Sequence, residues 1–455
     1  MSAEWIADRD SCAAYERDVS GLRRAPDWVA RPGSRGEAVA CIREAAARGV
    51  AVTPAGAQTS TTGASVAMGG GLLLSFRAMD RILAVDAEAR TARVEPGVLL
   101  GDLNRAVRSH GLFFAPDPTS EDESTVGGAI ACNASGPRTL RYGPTRHHVR
   151  ALSVVLADGS VMESRRPIVE KNTAGYLLAQ DPVDWFVGSE GTLGAVVEAE
   201  LALLPLPAVT LGLAVPFPDE PSALAFIVAA RESNAVHPRC LEYFDREAFA
   251  VARTHRRTPS WAPNAGAMVY LEEAGDSEPD ADAWLSLAER LGATGVDIEA
   301  FDGEQALPEA RGLRHAVPSA MHERAAPFLP RGGRRVSTDW AVPYFRVTEA
   351  IALARRIADA HGVPPAVTYG HLGNGHPHQN FIATDPDSVH RHEAAVEETL
   401  RAIIAMGGTV AAEHGIGKLK ARWLSLQMNA HQVQVMRAVK QALDPDGRMA
   451  PGNIL

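Results

Sequence analysis

Hydrophobic positions in the first half of the chain change period repeatedly. From Glu37 to Arg48 small apolar residues recur at helical spacing until Gly49, which predicts a helix and then a strand over Val50–Thr53. Ile82–Glu95 alternates on either side of a polar turn at Ala87–Arg90, predicting two strands, and Val98–His110 returns to helical spacing. Ser153–Ser164 reads as a hairpin turning at Asp158-Gly159, and Val196–Leu204 alternates again as a strand. Leu201 to Pro218 then carries no charge and approaches the length of a membrane span. Pro205, Pro207, Pro216 and Pro218 would break any helix there, so the stretch is read as a strand end, a proline linker and a new strand.

The linker places a first domain at residues 1–205. Beyond it strands are expected at Val209–Val215, Cys240–Phe244, Met268–Leu271, Val296–Phe301 and Ala366–Tyr369. Helices are expected at Ser222–Ser233, Asp282–Leu291, Glu304–Arg314, Phe345–His361, Ser388–Met406 and Gln432–Leu443. Elements in this order predict an α+β layer with helices on one sheet face.

A length of 455 residues suits two or three domains. The 45 basic and 55 acidic side chains leave a net charge of −10, which disfavours nucleic acid as a partner. The basic runs Arg253–Arg257 and Arg331–Arg335 read as solvated loops. Cys12, Cys41, Cys132 and Cys240 are scattered, without iron–sulfur or metal spacing, which fits a reducing cytoplasm. Met1–Asp18 lacks the apolar core of a signal peptide.

Candidate chemistry lies in glycine-rich and histidine-rich segments. Pro54-Ala55-Gly56-Ala57-Gln58-Thr59-Ser60-Thr61 follows a strand, and its small residues would let backbone N–H groups approach a pyrophosphate. Pro116-Asp117-Pro118-Thr119-Ser120, Thr125-Val126-Gly127-Gly128, Asn133-Ala134-Ser135-Gly136 and Arg141-Tyr142-Gly143 would lay backbone against a flat ligand. Gly188-Ser189-Glu190-Gly191-Thr192-Leu193-Gly194 is a tight turn ahead of a strand. In the second half, His371-Leu372-Gly373-Asn374-Gly375-His376-Pro377-His378 reads as a bent loop in which two imidazoles converge. With Glu413 of Glu413-His414-Gly415-Ile416-Gly417, His371 and His378 make the two-imidazole, one-carboxylate set of an open divalent-metal site, while His376 is read as a spacer or outer group.

These segments, in this order, resemble the vanillyl-alcohol oxidase and p-cresol methylhydroxylase superfamily, within it the branch of flavin-linked D-lactate, D-2-hydroxyglutarate and glycolate dehydrogenases. The resemblance runs from Tyr15-Glu16-Arg17-Asp18 to Pro451-Gly452. It implies a two-lobed FAD-binding domain, an α+β cap over residues 206–410 with an antiparallel sheet, and residues 411–455 returning to the FAD domain. It implies non-covalent FAD held by Pro54–Thr61, Pro116, Asp117, Thr119, Ser120, Gly127, Gly128, Ala131, Asn133, Gly136, Tyr142, Gly143, Glu190, Gly191, Gly194, Val196 and Asn453. Gln58 stands where relatives carry glycine. The family pattern also assigns His371, His378 and Glu413 to a divalent metal, zinc with manganese as the alternative, and His414 to the general base. Arg314, Ser337 and Asn374 fall among the substrate-binding positions, and Ser337-Thr338-Asp339-Trp340-Ala341-Val342-Pro343 matches the strand that lines the pocket. Relatives commonly have Asp and Asn where this chain has Asn374 and His376; they carry a lysine or a small polar residue at the position of Ser337, and having no lysine there favours a lactate-like monocarboxylate.

The implied activity is oxidation of a D-2-hydroxy acid, and the acceptor stays open among a quinone, a cytochrome, an electron-transfer flavoprotein and oxygen. No integral membrane segment is expected, and a homodimer is allowed. The rivals are a metal-independent sugar-acid or aldonolactone oxidase, and a flavin subunit that works only beside an iron–sulfur partner.

Overall fold

In the computed structural model, which describes residues 3–169, 171–176, 180–254, 261–294 and 297–455, the chain falls into two compact units. Val296 and most of the basic run Arg253–Arg257 lie outside the described residues. The first unit takes residues 1–136, 143–206 and 413–455; the second takes 137–142 and 207–412.

The first unit opens with three short strands, β1 (Trp28–Ala30), β2 (Val52–Ala55) and β3 (Leu72–Ser75), paired in parallel in the order β1-β3-β2. The helix Arg35–Arg48 starts where the Ser34 hydroxyl accepts from the Glu37 amide and stops at Gly49, whose φ is 66°. Its buried residues Ala38, Cys41, Ile42 and Ala45 share one face by helical spacing and join Leu72 and Leu74 in one core. Strand β3 escaped the sequence reading because Leu72, Leu73 and Leu74 are all fully buried between two partners and show no alternation.

Five antiparallel strands follow in the order β4-β5-β9-β7-β8: β4 (Ile82–Asp86), β5 (Thr91–Val94), β7 (Val149–Val155), β8 (Val161–Arg165) and β9 (Ala195–Ala202). The β7–β8 hairpin closes from Val155↔Val161 around Asp158-Gly159, as the alternation predicts. Two short strands, β6 (Leu112–Phe113) and β10 (Leu204–Pro205), pair antiparallel beside this sheet. The uncharged stretch from Leu201 thus ends β9, forms β10 and continues as β11 (Val209–Phe217) of the second unit. Among the described residues no helix is long and apolar enough to cross a membrane. The returning residues 413–455 complete the unit: the Val52 amide donates to Arg448 O at 2.8 Å and its carbonyl accepts from the Ala450 amide at 2.8 Å.

The second unit is one seven-stranded antiparallel sheet in the order β14-β11-β13-β12-β16-β17-β15. Its strands after β11 are β12 (Pro238–Phe244), β13 (Ala267–Gly275), β14 (Glu299–Asp302), β15 (Arg334–Ser337), β16 (Val367–His371) and β17 (His376–Ala383). Helices cover both faces, which corrects the expectation of one covered face. Helices Arg246–Thr254 and Leu307–Ala325 pack on the side of Phe244, Met268, Tyr270 and Tyr369. On the opposite side Phe217 meets Phe226 of helix Glu220–Glu232 at 5.2 Å, and Phe381 meets His392 of helix Pro386–Ala405 at 5.6 Å. The cause is visible in β13, where every residue but the last is buried, so neither face can be left to water.

Two further boundaries moved. The helix expected to end at Arg314 runs to Ala325 through Pro318. The pocket-lining strand expected from Ser337 instead ends there, because β15 pairs Arg334–Ser337 against Ala383–Asn380.

Candidate functional site

The loop after β2 is the first candidate. Gln58 has φ 58°, the left-handed conformation for which glycine is usual, so its substitution there is a strained position held by contacts. Its amide nitrogen donates to Tyr15 O and Ser65 O, both at 3.2 Å, which fixes the loop without glycine. Thr59 Oγ1 lies 3.1 Å from Ser124 Oγ, tying this loop to the approach of the next. A cavity of about 440 Å³ opens against Gly56, Ala57 and Gln58, and Arg17, Arg31 and Arg77 stand in its wall. Three guanidinium groups beside this half-buried loop suit a phosphate-bearing ligand.

Close approach explains the glycines. A Cβ on Gly56 would stand 2.2 Å from Thr125 Oγ1, and one on Gly136 would stand 2.3 Å from Asp117 O. Thr125–Gly128 is the start of a helix, Val126–Cys132, rather than flat backbone; Thr125 caps it by accepting from the Gly128 amide at 3.2 Å. The Gly127 amide is spent on Pro96 O at 2.8 Å. Asn133 ends the helix with φ 50° and its Oδ1 accepts from the Arg146 amide. Gly143, Gly191 and Gly194 all have positive φ, and Ala131 O accepts from the Glu190 amide at 2.8 Å. Val196 lies in β9, while Tyr142 closes a short helix, Thr139–Tyr142, that belongs to the second unit.

The Glu190 carboxylate is committed to the returning segment. Its two oxygens accept from the amides of Ile416 and Gly417 at 2.6 and 2.7 Å, and burial raises its pKa against the pull of those donors. A Cβ on Gly415 would collide with that carboxylate at 2.5 Å. Asn453 donates to Ala64 O and Glu190 O and accepts from Lys418 Nζ at 2.6 Å. Burial brings Lys418 down to about 8. Glu413 and His414 open this segment, half-buried, with His414 O accepting from Thr62 Oγ1 at 3.4 Å.

The second candidate lies in the second unit. His371 ends β16 and His376 begins β17, so the histidine segment is a β-hairpin with a turn at Leu372–Asn374, not a bent loop. Convergence follows from cross-strand pairing: His371 faces His376, and Tyr369 faces His378. Ring centroids are 5.5 Å apart for His371–His376, 5.3 Å for His371–His378 and 4.5 Å for His376–His378. Each ring offers a nitrogen within 4.8 Å of the others, and all three side chains are buried. His376, read from sequence as a spacer, therefore lies inside the cluster, its Nε2 3.1 Å from Asp339 Oδ1. Such a donor set fits a divalent ion.

Arg314 reaches the cluster from helix Leu307–Ala325 and is 7% exposed, so it is no surface charge. Its Nε stands 2.6 Å from Glu242 Oε2, and its Nη2 stands 2.8 Å from His371 Nε2. Glu242 Oε1 meets His371 Nδ1 at 2.5 Å. Asn374 is not gathered in with them: Gly375, with φ 71°, turns the chain so that Asn374 is exposed at the hairpin tip. Ser337 is exposed at the end of β15, opposite Asn380.

Three residues of this region went unassigned in the sequence. Asn380 follows His376 and His378 at strand spacing, so it shares their face, and both atoms of its buried amide lack a hydrogen-bond partner. Leaving such a group unpaired costs about 1–3 kcal/mol, as expected where a ligand completes the bonding. The alternation His376, His378, Asn380 was the available signal. Asp339 stood inside the pocket-lining segment Ser337–Pro343 without a role of its own, and Glu242 gave no signal, since it meets His371 across many intervening residues.

A model described as FAD binding domain matches residues 26–165, and one described as FAD linked oxidases, C-terminal domain matches residues 206–454. A glycolate oxidase subunit of Bacillus subtilis (strain 168) is 32% identical over 438 residues, covering 94% of this chain and 89% of the relative. A D-2-hydroxyglutarate dehydrogenase of Stutzerimonas stutzeri (strain A1501) is 30% identical over 457 residues, covering 99% and 95%. Among solved structures, 4-ethylphenol oxidase from Gulosibacter chungangensis shares the fold with a TM-score of 0.74 at 20% identity, covering 99% of this chain and 94% of that one. The chain belongs to the FAD-linked oxidoreductases of the p-cresol methylhydroxylase type, in the branch whose members oxidise 2-hydroxy acids.

Proposed function

We propose that this protein is a FAD-dependent, metal-assisted dehydrogenase that converts a D-2-hydroxy acid of the lactate or glycolate type into the 2-oxo acid. The observation that carries the reading is the buried triplet His371, His376 and His378 with Arg314 beside it. Nitrogen ligands grouped in this way suit zinc, or manganese, and a guanidinium is the natural grip for the substrate carboxylate. Glu413 as a further ligand and His414 as general base rest on the Glu413-His414-Gly415-Ile416-Gly417 pattern.

Oxidation of a 2-hydroxy acid removes a proton from the hydroxyl and a hydride from Cα. When bound, FAD would supply the hydride acceptor, and a divalent ion held by the histidines would lower the hydroxyl pKa toward the range of a neutral imidazole. The chain's own contributions are positional. Arg314 orients the carboxylate, Asn380 offers an unpaired amide to the substrate's oxygens, and His414 takes the hydroxyl proton. The electrons then leave to a quinone, a cytochrome or an electron-transfer flavoprotein.

The test is anaerobic bleaching of the flavin by D- and L-2-hydroxy acids, before and after treatment with a chelator. D-lactate or glycolate should bleach it, and chelation should slow the bleaching until zinc or manganese is restored. Bleaching untouched by complete metal removal would eliminate the metal role. No response to any 2-hydroxy acid in metal-replete protein would eliminate the substrate class.

A further inference from the structure

Glu242 is 1% exposed and divides its two carboxylate oxygens between different partners. Oε1 holds His371 Nδ1 at 2.5 Å, and Oε2 holds Arg314 Nε at 2.6 Å. A carboxylate on Nδ1 fixes the ring as the tautomer whose Nε2 carries the lone pair, the arrangement that suits a metal ligand. In this structure that lone pair faces Arg314 Nη2, 2.8 Å away. The guanidinium therefore sits on the very nitrogen that an ion would need. The three groups form a triangle in which Arg314 holds both Glu242 and His371.

We propose that Glu242 is a positioning residue that links metal binding to capture of the substrate carboxylate. When an ion takes His371 Nε2, Nη2 of Arg314 must leave, while its Nε stays on Glu242. The guanidinium then pivots about that bond and presents its outer edge, both Nη groups, to a carboxylate. The metal thus releases the arginine that holds the substrate, and by linkage a bound carboxylate favours the metal to the same degree. The inference rests on the proposed metal site and adds the residue that joins its two halves.

Two substitutions in the full-length, FAD-loaded protein should act in opposite directions, which a merely structural role would not produce. Metal affinity is read by competing Zn²⁺ and Mn²⁺ against a chelating dye, with the flavin spectrum as a check of folding. Glu242→Gln loses the charge that orients His371, and the metal should bind about 10–100-fold more weakly. Arg314→Met removes the competing donor and leaves the Glu242 charge beside His371, so the metal should bind about tenfold more tightly. In Arg314→Met, KM for D-lactate should rise with a smaller change in kcat. Glu272→Gln is the control, a carboxylate 2% exposed on the neighbouring strand that pairs with Arg239 and Arg311; it should leave metal affinity unchanged. Should Glu242→Gln fail to fold, Arg314→Met decides alone. Weaker metal binding in Arg314→Met, or equal binding in Glu242→Gln and the parent, overturns the linkage while leaving the metal site standing. Absence of saturable metal binding in the parent overturns the metal reading and the linkage together.

Discussion

The two units build their candidate sites from different materials. In the first, the loops around Gly56, Thr125 and Gly136 place backbone, and their side chains are small or turned inward on the protein. In the second, the backbone is a regular sheet and the candidate site is built from large polar side chains buried at it: Glu242, Arg314, Asp339 and three imidazoles. The contrast follows from what each ligand requires. A dinucleotide offers phosphates and a flat ring that backbone N–H groups and glycines can meet closely, whereas moving a proton and a hydride needs groups that change charge.

If that contrast holds, substitutions in the second region should remove chemistry and those in the first should remove cofactor and stability. The largest effect tests the general base: His414→Asn should slow flavin reduction by D-lactate about 10²–10⁴-fold while the FAD stays bound. Unchanged reduction in stopped-flow would take His414 out of the reaction. Next is Gly136→Ala, whose Cβ would stand 2.3 Å from Asp117 O and force backbone to move. The expected cost is about 1–3 kcal/mol, with weakened FAD retention, measured by denaturant melts and flavin release. A fully stable, flavin-loaded variant would show that close approach is not what this glycine serves.

A smaller effect separates strain from contact at Gln58. Gln58→Ala keeps the positive φ and loses both anchoring bonds, whereas Gln58→Gly relieves the φ. The glycine variant should be more stable than the alanine variant by roughly 1 kcal/mol, and equal melting temperatures would contradict the strain. Smallest is a pH effect in the second unit. Burial pushes the Asp245 carboxyl up to about 7, although it accepts from the Ala248 and Thr368 amides. The folded state thus keeps a proton that the unfolded chain releases near 3.8, so the Asp245 contribution is full below that pH and is lost as pH rises through about 7. Melts across this window should show stability falling with pH, and Asp245→Asn should flatten that part of the curve.

Legibility in the sequence divides along the same line. Glycines and prolines act locally, so the loops at Pro54–Thr61, Pro116–Ser120 and Gly188–Gly194 could be read where they stand. The hairpin at His371–His378 reads as a loop in the sequence, because Gly373, Gly375 and Pro377 outweigh the short strands that flank them. Helix Leu307–Ala325 ran past its expected end because Pro318 is tolerated where tertiary packing holds the flanks, with Val317 and Met321 both in the core. Glu242 was not legible at all. Its partners lie 72 and 129 positions further along the chain, and only the pairing of β12 with β16 brings the latter within reach.

Strand β2 finds its last neighbour in Met449, which emerges from the ribosome almost 400 residues after Val52. Every strand of the second unit has been made by then, so that sheet can close while the cofactor unit still waits for the segment that Glu190 and Asn453 clamp. The domain begun first during synthesis is the one finished last. A ribosome stalled once Ala412 had emerged would carry the complete histidine sheet beside a flavin cradle still missing its seam.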